Sequence, residues 1–366
     1  MRNYLIIIFF ILSLVITPVY SIYAPDLEYS ELEKRNLMQL SDINLNSLKA
    51  LRKADKKIEN YLTDQFPGRD RFVTIRTMTD IAAGKKEASG VYIGKSGYLM
   101  DKFSTYDPDD LKKNTERYEE LAENLHKLKV PFQMILVPSA LQVLENKRPA
   151  FASYMDQETL IRQIQKAIPE TINICPILRS HQKEYIYYKT DHHWTSLGAY
   201  YAYAQWRTEL GQTALPLSDW KHEVLCTDFQ GTTWAKTGLP GKIYRDQIDG
   251  YYHRKDRPVD YNNGYYKTSS IYERKYLQGK DQYGVFFNSN QAVTTIAGGE
   301  NKGKLLIIKD SYANTFAQFV LDDYKEVQMV DMRFFRGSIT EDVRKQKFTD
   351  VLALYGCTGF ATEEKR

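Results

Sequence analysis

Cysteine is scarce in this 366-residue chain, with only Cys175, Cys226 and Cys357, far apart. They are too few and too scattered for a disulfide framework or a cysteine zinc site. An excess of one charge is also lacking. The chain has 50 basic and 46 acidic residues, a formal net charge of +4, so no strong field advertises a nucleic-acid partner. A mean hydropathy of -0.50 excludes a multi-span membrane protein. Hydrophobic residues at 43% and charged residues at 26% exclude global disorder. The length suits two domains, or one large α/β domain with insertions. What is present in surplus is tyrosine: 28 of them bring the aromatic content to 13%.

One long run carries no charge. Met1-Arg2-Asn3 precedes an uncharged stretch from Tyr4 to Tyr23. A short basic start, an apolar stretch and then small residues (Ser21, Ala24) read as a secretory signal. The same stretch is near the ~20 residues that span a bilayer, so an uncleaved anchor is the other reading. The lack of a clean A-x-A site favours the anchor. Residues 1–24 are therefore assigned as signal peptide or membrane anchor. The rest is expected outside the cytoplasmic membrane, anchored there, or secreted if the segment is cleaved. ATP-dependent and nicotinamide chemistry are not expected in that place.

Residues 25–105 read as an N-terminal helical and hairpin extension, with helical spacing at Leu48, Leu51, Ile58 and Leu62 and a hairpin over 90–100. Residues 106–366 read as an α/β domain. A charged amphipathic helix covers Pro108 to Leu128, and the apolar run after Pro131 is a strand buried on both faces. A second helix over 157–168 and the run Ile172–Cys175 complete a β-α-β rhythm. Thr195 is placed to cap a helix over 195–210. Strands at 304–310, 326–332 and 350–356 alternate with helices, a parallel-sheet signal whose crossovers should be right-handed. Between these parts, 243–287 holds nine of the 28 Tyr and shows no clear period. It reads as an irregular surface excursion or as an aromatic surface for sugars.

Two places carry chemistry. Asp191-His192-His193-Trp194 is the densest polar cluster. In an extended segment Asp191 and His193 share a face and His192 points away. A carboxylate beside an imidazole fixes its tautomer and stabilises the imidazolium. The alternatives are a metal held by Asp191, His192 and His193, weakened because no further ligand set has the spacing, and a capped polar turn. Ser311 lies where the 304–310 strand gives way to a helix. Open parallel sheets bind ligands at the carboxyl ends of their strands, and N–H groups at a helix start, with Tyr312 a candidate donor, stabilise an oxyanion. The competing reading is a simple helix cap. A serine needs a base to take its proton, and His193 with Asp191 offers one. Asp310 reads as structural, pointing away.

The Asp191-His192-His193-Trp194 string resembles the signature of the DHHW family of exported bacterial proteins, similar to alginate O-acetyltransferases and SGNH hydrolases. The resemblance also takes in Glu33-Lys34-Arg35-Asn36, Tyr61, Asp64 through Arg69, Val137-Pro138-Ser139, Asp228 through Thr232, Tyr283-Gly284-Val285-Phe286 and Lys309 through Asn314. It implies an SGNH-hydrolase-like three-layer α/β/α fold with a central parallel sheet and a permuted triad order. It further implies Ser311 as nucleophile, His193 as base, Asp191 as its orienting carboxylate and Asn290 as an oxyanion donor. Thr232 and Lys236 are placed near the site, with no role that the residues themselves assign.

The expected activity is O-acetylation of a cell-surface or secreted polysaccharide through an acetyl-serine. No cofactor and no metal are expected. Acetyl-CoA is not expected outside the membrane, so the resemblance implies that a membrane-bound O-acyltransferase supplies the acetyl group. A carbohydrate acetylesterase and a non-catalytic polysaccharide-binding or assembly protein are the alternatives.

Overall fold

The computed structural model describes residues 4, 15–16, 19–21, 23–30, 32–33, 35–43, 48–241 and 244–362. Most of the uncharged Tyr4–Tyr23 stretch therefore lies outside the described residues. Among the described residues no helix is long and apolar enough to cross a membrane.

The chain forms two compact units. The first comprises Met1–Ser89 and Ala235–Ile243. Its helices are α1 (Leu48–Asp64) and α2 (Arg69–Ala82), and a short ladder pairs Tyr29–Ser30 with Arg35–Asn36. Arg35 reaches both Asp64 oxygens at 2.8 and 2.5 Å, and Arg69 reaches Glu33 at 2.7 Å. Burial opposes the charge on Asp64, but Arg35 and the Met38 amide outweigh it and hold its carboxyl below the usual range. The Glu33–Asn36 and Asp64–Arg69 motifs thus form one ionic clasp within this unit.

The second unit comprises Gly90–Trp234 and Tyr244–Arg366. A hairpin of β1 (Val91–Ile93) and β2 (Leu99–Asp101) opens it. Then follow α3 (Pro108–Lys127), β3 (Phe132–Val137), α4 (Gln157–Ala167), β4 (Thr171–Ile172) and α5 (Ser196–Glu209). Asp107 caps α3, with Pro108 in its first turn, where the missing N–H costs nothing. Next come β5 (Lys221–Phe229), β6 (Asp246–Tyr252), β7 (Val259–Tyr261), β8 (Tyr266–Thr268) and β9 (Val293–Ala297). The chain closes with β10 (Lys304–Lys309), α6 (Ala313–Val320), β11 (Glu326–Asp331), α7 (Ile339–Gln346), β12 (Asp350–Gly356) and α8 (Cys357–Thr362).

The main sheet has eight strands in the order β8-β7-β9-β11-β10-β12-β3-β4. β11, β10, β12, β3 and β4 run parallel, and β9, β7 and β8 extend the sheet antiparallel. The 243–287 segment is therefore not a plain excursion, because β7 and β8 come from it. β7 and β8 are three residues each, too short to show a period in the sequence, and the longer β6 from the same segment pairs with β5 instead.

Alternate residues of β10 face opposite ways. Leu305 and Ile307 pack with α5 and α6, while Leu306 and Ile308 pack with α3, α4, α7 and α8. Helices thus cover both faces of the parallel strands, and these strands are largely apolar, with Lys309, Gln328 and Asp331 among the buried polar exceptions. From β10 the chain moves to β11 on one side and then crosses to β12 on the other. The carboxyl end of β10 is thus a topological switch point, where α/β sheets open a crevice.

Candidate active site

Ser311 stands at that switch point. The turn behind β10 is shaped by Asp310, whose carboxylate accepts the Tyr312 amide at 3.0 Å and the Gly356 amide at 2.8 Å. Asp310 is structural, as its place in the sequence suggests. Ser311 is not the helix cap, because that position falls on Tyr312 and α6 opens at Ala313. The Ser311 side chain points elsewhere: its Oγ lies 2.7 Å from His193 Nε2. His193 Nδ1 lies 2.5 Å from Asp191 Oδ1. Ser311 is partly exposed, whereas His193 and Asp191 are 4% and 2% exposed.

The segment that carries His193 is a run of bends, not an extended strand. Asp191 and His193 meet for another reason. Asp191 Oδ1 also accepts the His193 amide at 3.1 Å, a side-chain turn that brings the imidazole over the carboxylate. His192 does not point away: its ring lies 3.8 Å from that of His193, and its Nδ1 reaches Thr232 Oγ1 at 2.9 Å. Thr195 caps α5 through Gly198, as its spacing predicts.

Buried Asp246 supports the whole turn. It accepts the Lys189 amide at 2.8 Å, the Thr190 amide at 2.7 Å, the Thr190 hydroxyl at 2.5 Å and the Tyr185 hydroxyl. On the other side, Thr232 donates its amide to Asp191 Oδ2 at 2.8 Å and its hydroxyl at 3.1 Å. Gly231 makes this approach possible. A Cβ at that position would lie 2.2 Å from the Asp191 Cβ. Two bonds then stitch the His193 turn to the Ser311 turn. Trp194 Nε1 donates to the Tyr312 carbonyl at 3.0 Å, and the Tyr312 hydroxyl donates to the His192 carbonyl at 2.7 Å.

A protein-family model described as DHHW protein matches residues 74–330. The chain belongs to the DHHW family. It is similar to a DHHW family protein from Eubacterium siraeum, with a TM-score of 0.68 and 23% identity over 76% of this chain and 94% of that one. It is also similar to Bacillus cereus PatB1 with a sulfonyl adduct, with a TM-score of 0.63 and 15% identity over 75% of this chain and 96% of that one. What these structures share with it is the fold, an α/β body around a large, mostly parallel sheet. No curated protein sequence matches the chain.

In this DHHW protein the four signature residues have distinct places. Asp191 holds the imidazole, His192 closes on Thr232, His193 faces Ser311 and Trp194 ties the two turns together. Electrostatics sharpen the arrangement. Burial opposes the Asp191 charge, but the two imidazoles and the Thr232 amide hold its carboxyl far below the usual range. Burial, helped by His192, pushes the His193 imidazole down to about 4 against the pull of Asp191. At neutral pH the imidazole is therefore uncharged and able to take a proton.

The oxyanion candidates are placed less directly. The Tyr312 amide is aimed at Asp310, so it does not face the cleft as a donor. The Asn290 carbonyl oxygen accepts from buried Lys309 at 3.1 Å, and Asn314 accepts from the same ammonium at 2.8 Å. Burial pushes the Lys309 ammonium down to about 8. Asp191, His192 and His193 are also a set whose donor atoms lie within 4.8 Å of one another. In this fold His193 uses both nitrogens within the protein, on Asp191 and Ser311.

Trp194, Thr232 and Tyr283 gained no role from sequence reasoning. Tyr283 stacks on the His193 ring at 3.9 Å and 7°. A family string of Phe-Gln-Gly-Thr beside a family string of Asp-His-His-Trp is a pairing hint, but nothing in their spacing says that they touch.

Proposed function

We propose that this DHHW protein is a serine O-acetyltransferase of SGNH-hydrolase-like fold that modifies a cell-surface or secreted polysaccharide outside the cytoplasmic membrane. The 2.7 Å approach of Ser311 Oγ to His193 Nε2, with Asp191 behind the ring, carries the reading. His193 takes the Ser311 proton as Oγ attacks the carbonyl carbon of an acetyl donor. The tetrahedral intermediate collapses, and the imidazolium returns the proton to the leaving group. A sugar hydroxyl, deprotonated by His193, then attacks the acetyl-serine and regenerates the Ser311 hydroxyl. Asp191 keeps the tautomer that makes each transfer possible. Asn290 is assigned as oxyanion donor on the family resemblance. Lys309 holds its carbonyl oxygen, and the amide nitrogen is the donor this role would use.

The family resemblance supports sugar hydroxyls as acceptors and a membrane-bound O-acyltransferase as the source of acetyl groups. The uncharged Tyr4–Tyr23 stretch supports the extracytoplasmic placement. The test uses a chromogenic acetyl ester and the purified protein. Product release should fall by about 10⁵-fold or more in Ser311→Ala at unchanged melting temperature. Equal turnover in that variant removes the reading. Labelled acetyl should pass from the ester to an oligosaccharide. Release to water alone, with acceptor present, assigns the protein as an esterase instead.

A further inference from the structure

Tyr283 touches both partners of the proton transfer. Its ring lies parallel to the His193 imidazole, centroids 3.9 Å apart and planes 7° apart. Its hydroxyl donates to the Ser311 carbonyl at 3.1 Å and lies beside the Thr315 hydroxyl. It is 7% exposed, and burial holds its hydroxyl protonated as a donor. Its own place is fixed by Phe286, at 5.5 Å between centroids, and by Tyr188 at 6.3 Å.

An imidazole held only by hydrogen bonds in its own plane, here to Asp191 and Ser311, still tilts about the line between them. A parallel ring against its face removes that freedom and leaves Nε2 directed at Ser311. The same face is electron-rich, so it favours the imidazolium that forms when the serine proton arrives. The other groups that face or charge this imidazole are Asp191, His192, Tyr312 and Lys309. None of them covers the ring in parallel: the His192 and Tyr312 rings are tilted by 36° and 58°.

We propose that Tyr283 is a positioning residue for this site, its ring setting the plane of the His193 imidazole. This rests on the base and nucleophile roles proposed above, but not on the acetyl group or the sugar.

The test therefore reads the serine itself. Phenylmethylsulfonyl fluoride reacts with an activated serine by forming an S–O bond and releasing fluoride, and the proton goes to the base. The rate of adduct formation at Ser311 is followed by intact mass for the wild type, Tyr283→Phe and Tyr283→Leu. Tyr283→Phe keeps the ring and should stay within about threefold of the wild type. Tyr283→Leu should react about tenfold more slowly or worse. With an acetyl ester the same loss should fall on kcat, with KM little changed. If Tyr283→Leu does not fold, Tyr283→Met replaces it.

A leucine or methionine variant as fast as the wild type overturns the proposal. So does a phenylalanine variant as slow as leucine, since the ring would then count for nothing. A wild-type serine that reacts but passes no acetyl group removes the acetyltransferase reading and leaves this one standing. A wild-type serine inert to the reagent removes both.

Discussion

The Ser311 turn and the His193 turn are built in opposite ways. Ser311 is delivered by regular structure. β10 ends, α6 begins, both are packed in the core, and the Asp310 carboxylate closes the turn on two amides. His193 is delivered by a stretch of bends held by side chains from elsewhere in the chain: Asp246 beneath, Thr232 beside and Tyr312 across. The position of the serine is thus a property of the sheet. That of the imidazole is a property of a buried polar network, in which each lost partner leaves another group unsatisfied. Damage to the His193 turn should therefore reach turnover while the sheet stays intact.

The hardest blow to the His193 side is Asp191→Asn. The amide no longer fixes the imidazole tautomer, so ester turnover should fall by about 10³–10⁴-fold while circular dichroism stays that of the native protein. A loss below tenfold would mean that Asp191 serves the fold and not the base. Next comes a matched pair of buried carboxylates. Asp246→Ala removes the acceptor of four donors and should cost about 3 kcal/mol or more in urea unfolding. Asp310→Ala strips two amides and should cost about half as much. Equal costs would erase the contrast between the turns.

Gly231→Ala tests the same network by crowding. The new Cβ would push Asp191 aside, so turnover should drop by about 10²-fold while circular dichroism stays that of the native protein. Trp194→Phe keeps the bulk and loses only the indole donor to the Tyr312 carbonyl. It should cost about 1–3 kcal/mol, and a smaller turnover loss than Gly231→Ala.

The last effect is one of pH. With the His193 imidazole held down to about 4, kcat/KM should stay level through the ordinary histidine range and decline only toward that value. A decline centred near about 6.5 would show an unshifted base. Stability follows the same sign. The folded state binds fewer protons than the unfolded chain here, so the His193 contribution is whole above about 6.5 and is lost as the pH falls toward about 4. Asp191, whose carboxyl is also lowered, loses its contribution in the same direction.

Much of the parallel sheet is legible in the residues. KLLIIK, EVQMVD and DVLALYG are rich in apolar residues on both faces and alternate with helix-forming stretches, as buried strands do. The antiparallel edge is not, because β7 and β8 are three residues each and lie amid tyrosines and charges. At the site, Ser311 is legible from the strand–helix junction. The pairing of Asp191 with His193 is also legible, though through a side-chain turn and not through the alternation of a strand. The roles of Thr232, Trp194 and Tyr283 are hidden, because a hydroxyl, an indole and a phenol are common in any core.

The sequence by itself determined the alternation of buried strands and helices and the residue types capable of proton transfer. Those follow from local pattern, which reports burial and period. Only the tertiary structure decided that a serine and a histidine 118 positions apart stand at hydrogen-bond distance. It also decided that a glycine leaves room for the aspartate and that a tyrosine covers the imidazole. Contacts of that kind depend on how distant segments close on one another, and no local pattern encodes the distance between two side chains.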